Sequence, residues 1–273
     1  MGCFLTNSSL GRKLVMSITG CFLVLFIFFH MSMNVVAIIN GDAYNLICKF
    51  LGANWYALAA TVVLAGGVLV HFLYAFWLTL QNRKARGNVR YSVTVKEHGV
   101  SWASKNMLVL GIIVILGLAL HLVHFWSKMQ LVELQEIMGF EPAHTVDPTD
   151  GAKIIQLTFS KWYNVVLYLV WFVALWFHLT HGVWSMCQTA GLANDTWYPR
   201  LKKLSNLVAT LIFAGFAVVA VWTYVANCPC CNKAAEAVEV VEQAPAAPAC
   251  CSECATSEAA PAEAPAENVT PAN

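Results

Sequence analysis

Six histidines in this chain sit among large apolar residues: His30, His71, His121, His124, His178 and His181. An imidazole in such surroundings has a short list of uses. It can ligate a metal, relay a proton, or hydrogen-bond a neighbouring helix. Four of the six form two i, i+3 pairs, His121 with His124 in "LHLVHFW" and His178 with His181 in "WFHLTHGVW". Each pair lies on one side of a helix, so spacing alone does not choose between its members. His98 and His144 fall in polar stretches and read as solvated.

The elements that carry these histidines follow from composition. Of 273 residues, 59% are hydrophobic and 11% charged, against roughly 25% charged in a soluble domain. Apolar runs cover Lys13 to Ile38, Tyr56 to Leu80, Met107 to Trp126, Tyr163 to Cys187 and Leu204 to Ala226. Each holds about 20 residues or more, enough to cross a hydrocarbon core of ~30 Å. The expected fold is all-α: a five-transmembrane-helix bundle over residues 1–226, then an Ala/Pro/Glu/Cys-rich disordered tail over 227–273. Arg12 and Lys13 precede the first run, which is longer than a signal-peptide core of about 7–15 residues and has no small-x-small site. It is therefore read as a span. The longest connection, 127–161, opens with "KMQLVELQEIMGF", whose helical apolar spacing suits an interfacial segment. There is no internal repeat and no soluble domain with a core of its own.

Positive charge orients the bundle. The N-terminus and the loops 81–106 and 188–203 hold eleven of the sixteen Lys and Arg residues, which places that side in the cytoplasm. With five spans the tail lies outside the cytoplasm. None of the fifteen Asp and Glu residues is central in a span, so the histidines are the ionisable groups at membrane depth. At 1.5 Å per residue, His30 and His124 lie ~24 and ~26 Å up their outward-running helices. His71 and His178 lie ~22 Å down their inward-running ones. The four sort into an outer level, His30 with His124, and an inner level, His71 with His178. Opposed imidazoles at two levels of a bundle suit two bis-histidine haems, whereas a zinc site gathers its ligands at one level. Gly67, Gly117 and Gly182 lie on the histidines' own faces and would leave gaps for a flat macrocycle, although glycine also serves helix packing.

These residues bring a family into view. The chain resembles the diheme cytochrome b membrane-anchor subunit of succinate dehydrogenase and fumarate reductase over Leu10 to Ala226. The motifs are "SITG" before "FFHMSMN", "VHFLYAFWL" in the second span, "SWASKNM" entering the third and "LVHFW" at its end, and "FHLTHGVWSMCQTAG" in the fourth.

The resemblance implies His30, His71, His124 and His178 as axial ligands of two haem b groups. The fourth-span ligand precedes the Gly of "HGVW" by four residues, which selects His178. The third-span ligand stands two residues before an aromatic residue, which selects His124. It also implies a flavoprotein and an iron–sulfur protein as partners on the cytoplasmic face, menaquinone as the membrane substrate, and a bacterial inner membrane as the location. The chain has no Rossmann-like glycine loop and no cytoplasmic cysteine cluster, so flavin and iron–sulfur chemistry falls to those partners. Each ligand should donate its second ring N–H to a nearby carbonyl or hydroxyl. Ser17 is placed to meet a propionate of the inner haem and Lys161 one of the outer haem. For the quinone, Asp42, Tyr44, Asn45 and His121 are candidates on the outer side. Trp176 stands two residues before His178 and no acid lies in the core, which argues against proton return through the bundle.

Six of ten cysteines lie in the tail, where Cys228/Cys231 and Cys251/Cys254 form C-x-x-C pairs. Outside the cytoplasm these suit disulfides ahead of zinc. Cys21 and Cys187 read as packing residues. Two rival functions remain: the cytochrome b subunit of a formate dehydrogenase or hydrogenase, and a haem-free transporter or anchor. The absence of core carboxylates argues against proton-coupled transport.

Overall fold

The computed structural model describes residues 8–52, 54–87, 101–142, 144–192 and 194–227, all within one compact unit. Among these residues the chain is helical, with no strand. We number the helices α1 (Ser9–Ile39), α2 (Gly41–Phe50), α3 (Trp55–Arg86), α4 (Trp102–Lys105), α5 (Met107–His124), α6 (Gln130–Ile137), α7 (Gly151–Phe159), α8 (Trp162–Thr189) and α9 (Trp197–Ala226).

Five of them, α1, α3, α5, α8 and α9, are long and apolar enough to cross a membrane. In hydrocarbon every backbone polar group must be satisfied within the segment, which is why such sequences settle as helices. Their large residues face outward along the bundle: Leu25, Val62, Leu116, Val170 and Leu207 are all exposed. That is the reverse of a soluble core and the expected surface for lipid.

α8 is the central element and packs on α9, α1 and α5. Its seam with α9 is lined by small residues. Ser205, Ala209 and Ala220 are fully buried there, and the Ser205 hydroxyl donates to the Thr180 carbonyl at 2.9 Å. Small side chains let two backbones approach closely, which supplies dispersion contact where no hydrophobic effect acts between helices. α3, by contrast, leans mainly on α1 and barely meets α5.

The short helices α2, α6 and α7 gather at one end of the bundle, the capped end. Asn40 turns extended (φ −154°, ψ 106°) and ends α1. The same side chain accepts the Ala43 N–H at 3.0 Å and opens α2. α2 is clasped to α7 through Asn45. Its amide donates to Asp150 at 2.8 Å and its carbonyl accepts the Ala152 N–H at 2.9 Å. Asp150 in turn caps α7 by accepting from the Lys153 N–H at 3.0 Å. The segment expected to lie at the interface forms a 3-10 turn, Trp126–Lys128, followed by α6. At the other end, α3 runs six residues past its expected boundary to Arg86 and stops at Gly87, whose φ of 70° favours glycine. Arg90, Lys96, His98 and the tail with its cysteines lie outside the described residues.

Candidate functional site

The bundle positions its histidines on four helices. His30 is on α1, His71 on α3, His121 and His124 on α5, and His178 and His181 on α8. None of these rings is more than partly exposed.

At the level farther from the capped end, His71 and His178 face each other with ring centroids 6.4 Å apart and planes at 66°. Two imidazoles sharing one metal through bonds of about 2 Å each have ring centres about 6 Å apart. The spacing therefore fits a single bridging iron. Thr19 of α1 meets His71 Nδ1 at 3.1 Å. His178 Nδ1 is buried with no hydrogen-bond partner, so the carbonyl or hydroxyl expected beside a ligand's second ring nitrogen is not met here. Both rings also sit against glycine. A Cβ built on Gly20 would lie 3.7 Å from His71 Cε1, and one on Gly111 would lie 4.0 Å from His178 Cε1. Backbone without side chains thus flanks the pair on two sides, from α1 and from α5. The spacing of this pair is that of two imidazoles on one metal.

His181, the alternative in "FHLTHG", turns away. Its ring meets Trp184 of its own helix edge-on at 5.1 Å, and its Nδ1 is likewise buried without a partner.

At the level nearer the capped end, the ring contacts are not between His30 and His124. His30 faces His121, with centroids 5.7 Å apart and planes at 84°. His124 stacks on Tyr168 of α8 at 5.9 Å and 19°, with Nδ1 3.3 Å from the phenol oxygen. The physical reason is angular. Residues three apart on a helix project about 60° apart, and the rotation of α5 points His121 at α1 and His124 at α8.

Trp171 sets that rotation. Its indole lies against Gly117, where an added Cβ would come within 2.0 Å of the ring, and its Nε1 donates to the Val114 carbonyl at 3.0 Å. Gly117 therefore accommodates an aromatic side chain and is not a gap for a macrocycle. Gly67 is similarly closed by Phe22, whose ring would lie 2.9 Å from a Cβ there. Of the three glycines singled out, Gly182 alone is open, with nothing within 4 Å. The imidazole spacing at this level suits a shared metal, but the glycine gap expected for a macrocycle is filled.

The remaining candidates scatter. Ser17 is half-buried on α1 and makes no hydrogen bond among the described residues; Thr19, two residues on, meets His71 instead. Lys161 is exposed at the start of α8. Asp42 and Asn45 line an open recess of about 380 Å³ with Lys49, Asp147 and Asp150 at the capped end. Asn45 is also committed to the α2–α7 clasp. Tyr44 is buried, and its hydroxyl donates to Asn34 Oδ1 at 3.3 Å, while Asn34 Nδ2 lies 3.5 Å from His30 Nε2. Burial holds the Tyr44 phenol above its usual range. Of the four quinone candidates, Tyr44 and His121 are thus drawn toward His30, whereas Asp42 and Asn45 belong to the polar cap. Among the described residues, no group of three or more metal-ligating side chains clusters as a metal site.

Two residues that composition and spacing did not single out complete the site. Thr19 lies within "SITG" and was hidden behind Ser17. Tyr168 is the largest fully enclosed side chain, at 2% exposure, and nothing in its sequence context marked it as the partner of His124. No protein-family model, curated protein or solved structure matches this chain.

Proposed function

We propose that this chain is the diheme cytochrome b membrane anchor of a succinate:quinone or quinol:fumarate oxidoreductase. One observation carries the reading: His71 and His178, on different helices and deep in the bundle, face each other at 6.4 Å between two glycines. The spacing is that of two imidazoles on one metal, although His178 Nδ1 lacks the partner expected of a ligand's second ring nitrogen.

A bis-histidine haem carries one electron at a time and has no open axial position, so electron transfer is the chemistry it supplies. The chain's own residues do the rest. His71 and His178 hold the inner group. At the outer level His30 is one ligand, and the geometry presents His121 as the other in place of the His124 that the resemblance implies. Tyr168 and Phe172, with Trp171 packed against them, belong to one apolar cluster on the side of α8 nearer the capped end. The excess of Lys and Arg sets the N-terminal side in the cytoplasm, where a flavoprotein and an iron–sulfur protein would dock and deliver or take electrons. Menaquinone would react at the outer side, near the capped end, within reach of the Tyr44–Asn34–His30 contacts.

The test is haem content per chain in detergent-purified protein, measured beside single alanine changes at each histidine of the six. Two b-type haems in the parent, with one lost on changing His71 or His178, supports the reading. Folded parent protein without haem sinks it. At the outer level, loss with His121→Ala and retention with His124→Ala favours the pairing seen here, and the opposite result restores the one implied by the resemblance.

A further inference from the structure

We propose that Thr19 is the positioning residue for His71, fixing the imidazole tautomer that leaves Nε2 free for iron; this rests on the haem reading above.

The hydrogen-bond geometry decides the direction of each proton. Thr19 Oγ1 lies 2.8 Å from the Val15 carbonyl and 3.2 Å from the Met16 carbonyl. Carbonyl oxygens only accept. Two oxygens 2.8 Å apart repel unless a hydrogen lies between them, so the hydroxyl proton points to Val15. The Thr19 oxygen then has only lone pairs to offer toward α3. His71 Nδ1, 3.1 Å away, must be the donor. A neutral imidazole carries one N–H, so its Nε2 keeps the lone pair that a metal requires.

The contact joins residues 52 apart in sequence on two different helices, so it also fixes the ring's rotation relative to α1. Gly20, next in the chain, also lies beside the ring, with His71 Cε1 3.7 Å from where a Cβ would stand, an ordinary contact distance. Valine at position 19 would keep the shape of the residue and remove the acceptor. Serine would keep the acceptor.

A hydrogen bond from the second ring nitrogen raises the basicity of the ligating one and fixes its orientation. A more basic ligand favours the ferric over the ferrous iron, so losing the bond should raise the inner haem's midpoint potential. Outer-sphere partners of this kind typically change metal affinity about 10- to 100-fold.

The experiment uses full-length protein from membranes, as parent, Thr19→Val and Thr19→Ser. Haem content, the redox titration of each haem and the low-spin electron paramagnetic resonance signals are read together. Thr19→Val should raise the midpoint of one haem, alter its signal and speed its loss about 10- to 100-fold, with the other haem unmoved. Thr19→Ser should restore all three readouts. Parental potentials and signals in Thr19→Val would overturn the inference while the haem reading stands, as would a Thr19→Ser protein that behaves like the valine variant. A parent without haem overturns both.

Discussion

Replacing Gly117 by alanine should destabilise the bundle by about 2 kcal/mol, whereas the same change at Gly182 should not. The two glycines differ only in what surrounds them. At Gly117 the new methyl would lie 2.0–2.2 Å from three indole atoms of Trp171, including Cγ near the root of the ring. Trp171 has nowhere to go: its Nε1 is bonded to the Val114 carbonyl, and its ring packs on Tyr168 at 5.6 Å and His121 at 5.9 Å. Overpacking of this kind costs about 1–3 kcal/mol, and breaking the indole hydrogen bond adds about 0.5–1.5 kcal/mol. The better helix propensity of alanine offsets about 1 kcal/mol of that. At Gly182 nothing lies within 4 Å, so the propensity gain stands alone. Thermal unfolding in one detergent, followed by loss of the monodisperse peak on size exclusion, ranks the two variants against the parent. Gly117→Ala should fall clearly below the parent and Gly182→Ala should equal or exceed it. Equal midpoints for the two variants would refute the reasoning, because they would mean that Trp171 is not seated on α5.

Two further outcomes concern the capped end. Burial, with Glu133 and Asp150 nearby, pushes the Cys48 thiol from 9.0 up to about 11 against the opposing pull of the Tyr44 and Gly151 hydrogen bonds. In a variant with the other cysteines replaced, maleimide labelling of Cys48 should therefore keep rising about tenfold per pH unit beyond pH 9, because the thiolate is the reactive form; a rate that levels off by pH 9 contradicts the burial. Asn45→Ala removes both bonds of the α2–α7 clasp and leaves the Ala152 N–H without its partner, a loss of about 1–3 kcal/mol. Limited proteolysis should then cut the 127–161 connection faster than in the parent, and unchanged cutting would show that the clasp does not hold it.

The spans were legible because one property, about 20 apolar residues in a row, decides each of them without reference to any other part of the chain. Their structural limits, such as Leu10–Ile39 and Trp162–Thr189, differ from the sequence boundaries by three residues at most for three of the five, while α3 runs on to Arg86. The fifth, α9, starts seven residues early at Trp197, because a helix does not end where its apolar stretch does. Depth was legible for a similar reason, since rise per residue is fixed along a helix. That is why His71 and His178 could be set at one level before any contact was known. What a sequence lacks is rotation. Thr19 was overlooked beside Ser17 because only packing shows which of the two hydroxyls turns toward α3.

Rotation is also what decides between His121 and His124, and the residue that governs it is not a histidine. Gly117 lies one turn before His121 and nearly two before His124, so it stood in the sequence as a gap on the ligand's face. In the bundle it is the notch that receives Trp171, and the hydrogen bond from that indole to Val114 locks α5 against α8. Once α5 is locked, His124 is carried to Tyr168 and His121 to His30. A turn of about 60° in the other sense would exchange the two roles. On the proposed diheme reading, the identity of the outer ligand follows from helix docking, and Gly117→Ala tests it from a distance. If the chain carries the two proposed haems and the methyl forces Trp171 out so that α5 turns, the spectrum of the outer one should change while that of the inner one, at α3 and α8, stays as it was. A variant that loses stability with both spectra unaltered would show that the notch holds the helices together without choosing the ligand.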